Sequence, residues 1–231
     1  MIYWASATAA SDSEIQRRNL DFAAQELAKC EPRGEQFFYV EPAEIMFDMS
    51  APSTRIVEST PLNPSCYAGS VAQIMEQRVL EYSHGHVIRT APFIESAPFQ
   101  QVFSDMRCGL YGGCVLLEQS FQFSSRWAVA EIGRCTIAGT REFHEELGSL
   151  RHICSGIRFT TSYIAFQLLG EDFNIDFSRD RMDPRLTDLG VSSYGSSLCS
   201  ERGDRLTAHF FEWSYRKCDD YLKSFRRKGE E

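Results

Sequence analysis

The chain has no uninterrupted apolar run of about eighteen residues, so no transmembrane helix is expected. It has no Cys-x-x-Cys pair, and the closest cysteines, Cys108 and Cys114, flank a Gly-Leu-Tyr-Gly-Gly stretch; structural zinc of the usual spacing is thereby excluded. Basic residues are outnumbered, 24 Lys and Arg against 32 Asp and Glu, and the net charge of −8 lacks the footprint of a nucleic-acid binder. The one basic stretch is terminal: Arg216, Lys217, Lys223, Arg226, Arg227 and Lys228 suit the carboxyl end of a last helix. The opening Met1-Ile2-Tyr3-Trp4-Ala5-Ser6-Ala7 lacks the positive flank and long apolar core of a secretory leader. The eight cysteines are therefore expected as thiols in a reducing, cytoplasmic setting. Gly109-Leu110-Tyr111-Gly112-Gly113 precedes a strand-like run and has no following Lys-Ser/Thr, so it reads as a turn rather than a phosphate loop.

What is present is a large apolar and aromatic content, 43% and 13%, enough for a substantial core. Ser11 and Glu14 form a capping-box pattern, and Leu20, Ala23, Ala24 and Leu27 then repeat on one helical face until Pro32 and Gly34. Gln36–Val40 and Glu44–Phe47 read as short strands. Residues 66–90 admit two readings, a helix to about Arg78 followed by extended chain, or a hairpin turning near Gly85; the first is preferred.

The second half reads as β-dominated. Cys114–Phe123, Trp127–Ile137, the alternating stretch Arg151–Leu169 and Leu206–Tyr215 are all expected as strands. Tyr215, Cys218, Leu222 and Phe225 then mark a closing amphipathic helix. The expected fold class is α+β. One domain over residues 1–231 holds a curved, mainly antiparallel, half-barrel or barrel-like sheet between terminal helices. Residues 171–204 are expected to form a long flexible loop or lid within it.

Three patterns carry possible chemistry. Cys66-Tyr67-Ala68-Gly69-Ser70-Val71-Ala72-Gln73 places a thiol at a helix start, where the dipole favours thiolate. That box resembles those of papain-like and ubiquitin-specific cysteine peptidases. The resemblance implies Cys66 as nucleophile, His209 as base and Asp219 behind it, with Asp220 adjacent. His84 and His86, with His144, Glu145 and Glu146, form a second constellation of metal-ligand type, read more simply as a hairpin tip; no metal is expected. Glu118 and Glu131, inside candidate strands, are acids that a closed sheet would hold protonated or that face solvent; Glu142 lies with the His144 group.

The leading functional expectation is a soluble binding domain. Phe121, Phe123, Trp127, Phe159, Tyr163 and Trp213 would line a concave sheet that takes a small apolar molecule or a partner protein. The alternatives are the Cys66 hydrolase and an interaction module acting through residues 171–204. No cofactor is expected, and the oligomeric state is left open.

Overall fold

Phe37-Phe38-Tyr39-Val40 is buried on both of its faces, as a strand inside a parallel sheet must be. The computed structural model describes residues 1–4, 13–47, 54–64, 66–137, 150–171, 173–187, 189, 191, 197–201 and 205–227. Strands β1 (Ile2–Trp4), β2 (Phe37–Pro42), β3 (Arg55–Ile56), β4 (Gly85–Thr90), β5 (Val115–Leu117), β6 (Ser120–Phe121), β7 (Leu150–Ile153), β8 (Phe159–Thr160), β9 (Asp176–Ser178), β10 (Leu186–Thr187) and β11 (Ser197–Leu198) are joined by six described helices. These are α1 (Ser13–Cys30), α2 (Tyr67–Glu81), α3 (Ala97–Arg107), α4 (Arg126–Ile137), α5 (Thr161–Leu169) and α6 (Arg205–Arg227).

The main sheet runs β1-β2-β4-β7, and every pairing in it is parallel. Helices cover both faces. On one, Ala23 and Leu27 of α1 and Met75 and Val79 of α2 pack with Phe37, Tyr39 and Val87. On the other, Val129 and Ile132 of α4 and Phe210 of α6 pack with Phe38, Val40, Ile88 and Ile153. Successive strand side chains alternate between these two cores, which is the burial of a doubly covered α/β sheet.

A second core holds most of the phenylalanines. Phe99, Phe103, Phe121, Phe123 and Phe159 pack with Ile164 and Leu168 of α5 and Cys218 and Leu222 of α6. Beside it lies a second parallel sheet, β10-β5-β9. The 23-residue α6, roughly 34 Å long, joins the two: Phe210 belongs to the first core and Leu222 to the second.

The expected antiparallel barrel is thus replaced by parallel sheets, and the reason is local. Trp127–Ile137 is the helix α4; Ala128, Val129 and Ile132 are its buried stripe. Arg151–Leu169 is not one strand but β7, a turn through Gly156 at φ +61°, β8 and α5. Leu206–Tyr215 lies inside α6. Glu44–Phe47 overlaps a 3-10 turn, Ala43–Ile45, instead of a strand. Residues 66–90 are helix followed by strand. Within 171–204 the described residues include β9, β10 and β11. Among the described residues no helix is long and apolar enough to cross a membrane.

Candidate functional site

In open parallel sheets ligands bind beyond the carboxyl ends of the strands, where the βα turns gather. The last inward position of three strands carries a titratable side chain here. Glu41, Arg89 and His152 are direct neighbours across β2, β4 and β7, each one residue from its strand's end. Their side chains share the face covered by α2, and all are at most 2% exposed.

Arg89 anchors this row. Its Nε donates to Glu76 Oε2 at 3.0 Å and its Nη2 to Glu76 Oε1 at 2.6 Å, a fork onto α2. Nη1 donates to the Glu58 carbonyl at 3.4 Å, and the guanidinium lies 5.2 Å over the Phe47 ring. The Glu41 carboxylate oxygen is 3.8 Å from Nε. Burial, and next the facing Glu76 carboxyl, push Glu41 well above the usual carboxylate range, which favours its protonated form. Arg89 and Glu76 form the close ion pair of the row.

His152 connects this row to a strap. Its Nδ1 lies 2.8 Å from the Cys199 carbonyl, an acceptor only, so that nitrogen carries the hydrogen. Nε2 is then the lone-pair side, 3.5 Å from Arg89 Nη1. Burial draws the imidazole below its ordinary value, and it is neutral at pH 7. The strap itself is β11, paired in parallel with β3. Glu58 accepts from the His152 N–H at 3.2 Å, the Ser200 hydroxyl at 2.8 Å and the Glu201 N–H at 3.0 Å. Burial would raise Glu58, but these donors outweigh it and its carboxyl lies below the ordinary range. The Cys154 thiol, pushed up to about 12 by burial, donates to the Leu198 carbonyl at 3.5 Å. Such a network fixes the rim of the carboxyl edge; Arg89, His152 and Cys154 are too buried to meet a ligand themselves, whereas Glu201 is exposed.

The rim also presents the first turn of α2 to solvent. Cys66 is its N-cap, and its Sγ accepts from the Gly69 N–H at 3.4 Å. Tyr67 follows with half of its surface exposed, and Ser70 is exposed one turn on. Gly69 lets the helix sit against the chain after β2: a Cβ there would lie 1.9 Å from the Ile45 carbonyl oxygen.

The expected sites are distributed differently. Cys66 is half-buried beside the core of Ile45, Met46 and Ile56. His209 is exposed on α6 and Asp219 lies ten residues further along it, about 15 Å away. Asp219 is occupied instead by Tyr163, at 2.7 Å, and Lys223, at 2.5 Å. These residues form no triad.

Phe121, Phe123, Phe159 and Tyr163 belong to the second core, with ring centroids 5.6–5.9 Å apart. Trp127 is exposed on α4 under Arg134, and Trp213 packs partly buried on the first core. They line no common concave sheet. His86 stacks on Phe38 and reaches Gln36 at 2.5 Å, with His84 3.4 Å from the same side chain; His144, Glu142, Glu145 and Glu146 fall outside the described residues. Glu118 accepts from the Ser162 N–H at the start of α5, and Glu131 pairs with Arg134 on α4.

Sequence reading missed this row of buried titratable side chains. Its signal was present, a single charge closing each of two apolar runs, Phe37–Val40 and Val87–Ile88.

The parallel sheet covered on both faces, with a second core attached, defines a Rossmann-like α/β protein. No protein-family model matches the sequence, and no curated protein matches it. Solved structures do. The dTDP-4-dehydrorhamnose reductase of Yersinia enterocolitica is 14% identical, covering 97% of this chain and 81% of its own, with a TM-score of 0.63. The UDP-N-acetylglucosamine 4-epimerase of Bacillus cereus is 15% identical over 96% of this chain and 78% of its own, at 0.60. The dTDP-4-dehydrorhamnose reductase of Bacillus anthracis, in complex with NADP, is 13% identical over 98% and 80%, at 0.59. The likeness is one of fold. It overturns the antiparallel binding domain, the thiol hydrolase and the loop-based interaction module alike.

The residues present do not fit a dinucleotide. The sequence after β1 reads Ala5-Ser6-Ala7-Thr8-Ala9-Ala10, with alanine wherever a G-x-G-x-x-G spacing would put glycine.

Proposed function

We propose that the chain belongs to a reductase- or epimerase-type enzyme and recognises a nucleotide-linked sugar at the carboxyl edge of its main sheet. The observation that carries this reading is structural. A parallel sheet and a separate phenylalanine core, joined by α6, are matched together along nearly the whole chain by enzymes of that kind. In such an arrangement the strand ends and βα turns form one wall of the site. Here that wall includes Tyr67 and Ser70 on the first turn of α2, both exposed and both able to donate a hydroxyl hydrogen bond. The buried row of Glu41, Arg89 and His152 holds the wall's geometry from behind.

Calorimetric titration with UDP-N-acetylglucosamine and with dTDP-glucose tests the reading. Saturable binding of one of them is expected. Replacing Tyr67 by Phe should weaken it by about three- to tenfold, the loss of one hydrogen bond. Absence of saturation by both up to about 1 mM sinks the reading.

A further inference from the structure

Resting on that reading, we infer that these residues bind the sugar nucleotide without a dinucleotide, so that the hydride chemistry of the fold is not carried by them alone. Three observations point the same way.

The first is the order of the strands. A dinucleotide sits in the crevice where the strand order of a doubly wound sheet reverses, because the chain there leaves to either side and opens the sheet's carboxyl edge. Among the described residues the order β1-β2-β4-β7 proceeds in one direction and contains no reversal.

The second is the chemistry of the turns. A pyrophosphate is cradled by backbone N–H groups that approach it closely, and a Cβ at the approach point blocks them. Alanine occupies all three glycine spacings after β1. Residues 43–66, between β2 and α2, and residues 91–96, between β4 and α3, contain no glycine at all. Gly69 is committed to the Ile45 carbonyl, and Gly156 lies against Phe211, 3.1 Å from where its Cβ would be. Gly109, Gly112 and Gly113 precede β5, a strand, so no helix N-terminus follows them.

The third is that one helix start is already filled by an anion. At the start of α4, Glu95 accepts from the Arg126 N–H at 3.3 Å through Oε2 and from the Ser125 hydroxyl at 2.8 Å through Oε1. A carboxylate thus stands where a helix N-terminus would receive a phosphate. The first turn of α2, by contrast, has no acidic residue.

The test titrates the 231-residue chain in parallel with NADPH and NADH, followed by their own fluorescence, and with UDP-N-acetylglucosamine and dTDP-glucose, followed by calorimetry. Saturation by a sugar nucleotide with no saturation by either dinucleotide up to about 1 mM is the expected result. Saturable NADPH or NADH binding with a Kd below about 0.1 mM overturns the inference while leaving the sugar-nucleotide reading intact. Saturation by none of the four probes overturns both.

Discussion

Gln122 holds Leu198 by both backbone groups: its Nε2 donates to the Leu198 carbonyl at 2.9 Å and its Oε1 accepts from the Leu198 N–H at 2.8 Å. The side-chain amide substitutes for a neighbouring strand, and it does so where water is excluded, since Gln122 is 7% and Leu198 1% exposed. β11 is therefore fixed from two sides, by β3 through backbone pairing and by Gln122 through its amide.

Gln122→Ala should leave the buried Leu198 N–H unsatisfied and its C=O with the Cys154 thiol as donor. The expected cost is about 1–3 kcal/mol, that of one unsatisfied buried group. Hydrogen exchange measured by mass spectrometry should accelerate over residues 197–199 before it does in the main sheet. Exchange unchanged in that segment, with an unchanged melting temperature, would show that Gln122 is not what holds the strap.

Arg89 poses a different problem, because it is a charge placed inside the sheet. Arg89→Met removes the partner of Glu76, which is 4% exposed, and a lone buried carboxylate costs about 3–5 kcal/mol. Adding Glu76→Met to that variant should restore most of the stability, as both charges are then gone. Urea unfolding of the two single variants and the double variant measures the coupling. A double variant that equals the sum of the singles contradicts the pairing.

How far this site was legible in the sequence follows from which residues signal locally. Helix α1 announces itself through Leu20, Ala23 and Leu27, and α2 through Val71, Met75 and Val79, because a 3.6-residue repeat needs no knowledge of the rest of the chain. The strand readings failed where β-branched and aromatic residues fill helices. In α6 the buried positions Thr207, Phe210, Ser214, Cys218 and Leu222 step by three and four, yet Leu206–Tyr215 alone offers too few turns to show it. In α5, Thr160 caps the helix through the Tyr163 N–H at 3.2 Å, a signal hidden inside an apparent alternation. Reading α4 and α5 as strands removes helices from the crossovers that the parallel β4–β7 and β5–β9 pairings require, and favours an antiparallel sheet. The Glu41–Arg89–His152 row is non-local: it exists only once three strands lie in register.

The same row makes stability depend on pH in two opposed ways. His152 has its folded value lowered by burial, so the unfolded chain binds the proton more readily. Its contribution is full above the ordinary histidine value of about 6.5 and is lost as pH falls below it. Glu41 has its folded value raised by burial. Its contribution is full below the ordinary glutamate value of about 4.3 and is lost as pH rises through the raised folded value. Glu41→Gln should therefore gain stability relative to the parent protein as pH rises from 5 to 8, measured by chemical denaturation at each pH. His152→Gln should flatten the decline between pH 6.5 and 5. A parallel pH profile for Glu41→Gln and the parent would mean that Glu41 is ionised in the folded chain.

Gly69 gives a prediction opposite in sign to helix propensity. Alanine in a helix interior is worth about 1 kcal/mol over glycine, so Gly69→Ala in an isolated α2 would be stabilising. In the folded chain its Cβ would lie 1.9 Å from the Ile45 carbonyl oxygen and 2.7 Å from Pro64 Cβ, and neither neighbour is the free end of a flexible side chain. The first turn of α2 must then move away from the segment that follows β2, at a cost of about 1–3 kcal/mol. Because Tyr67 and Ser70 ride on that turn, binding of UDP-N-acetylglucosamine or dTDP-glucose should weaken together with stability. Gly34→Ala serves as the comparison: that glycine has φ +62° and no neighbour within 4 Å, so its substitution strains only the backbone and should leave sugar-nucleotide binding unchanged. Thermal unfolding and titration of the two variants separate the cases. A Gly69→Ala protein at least as stable as the parent would show that α2 does not need its close approach to Ile45.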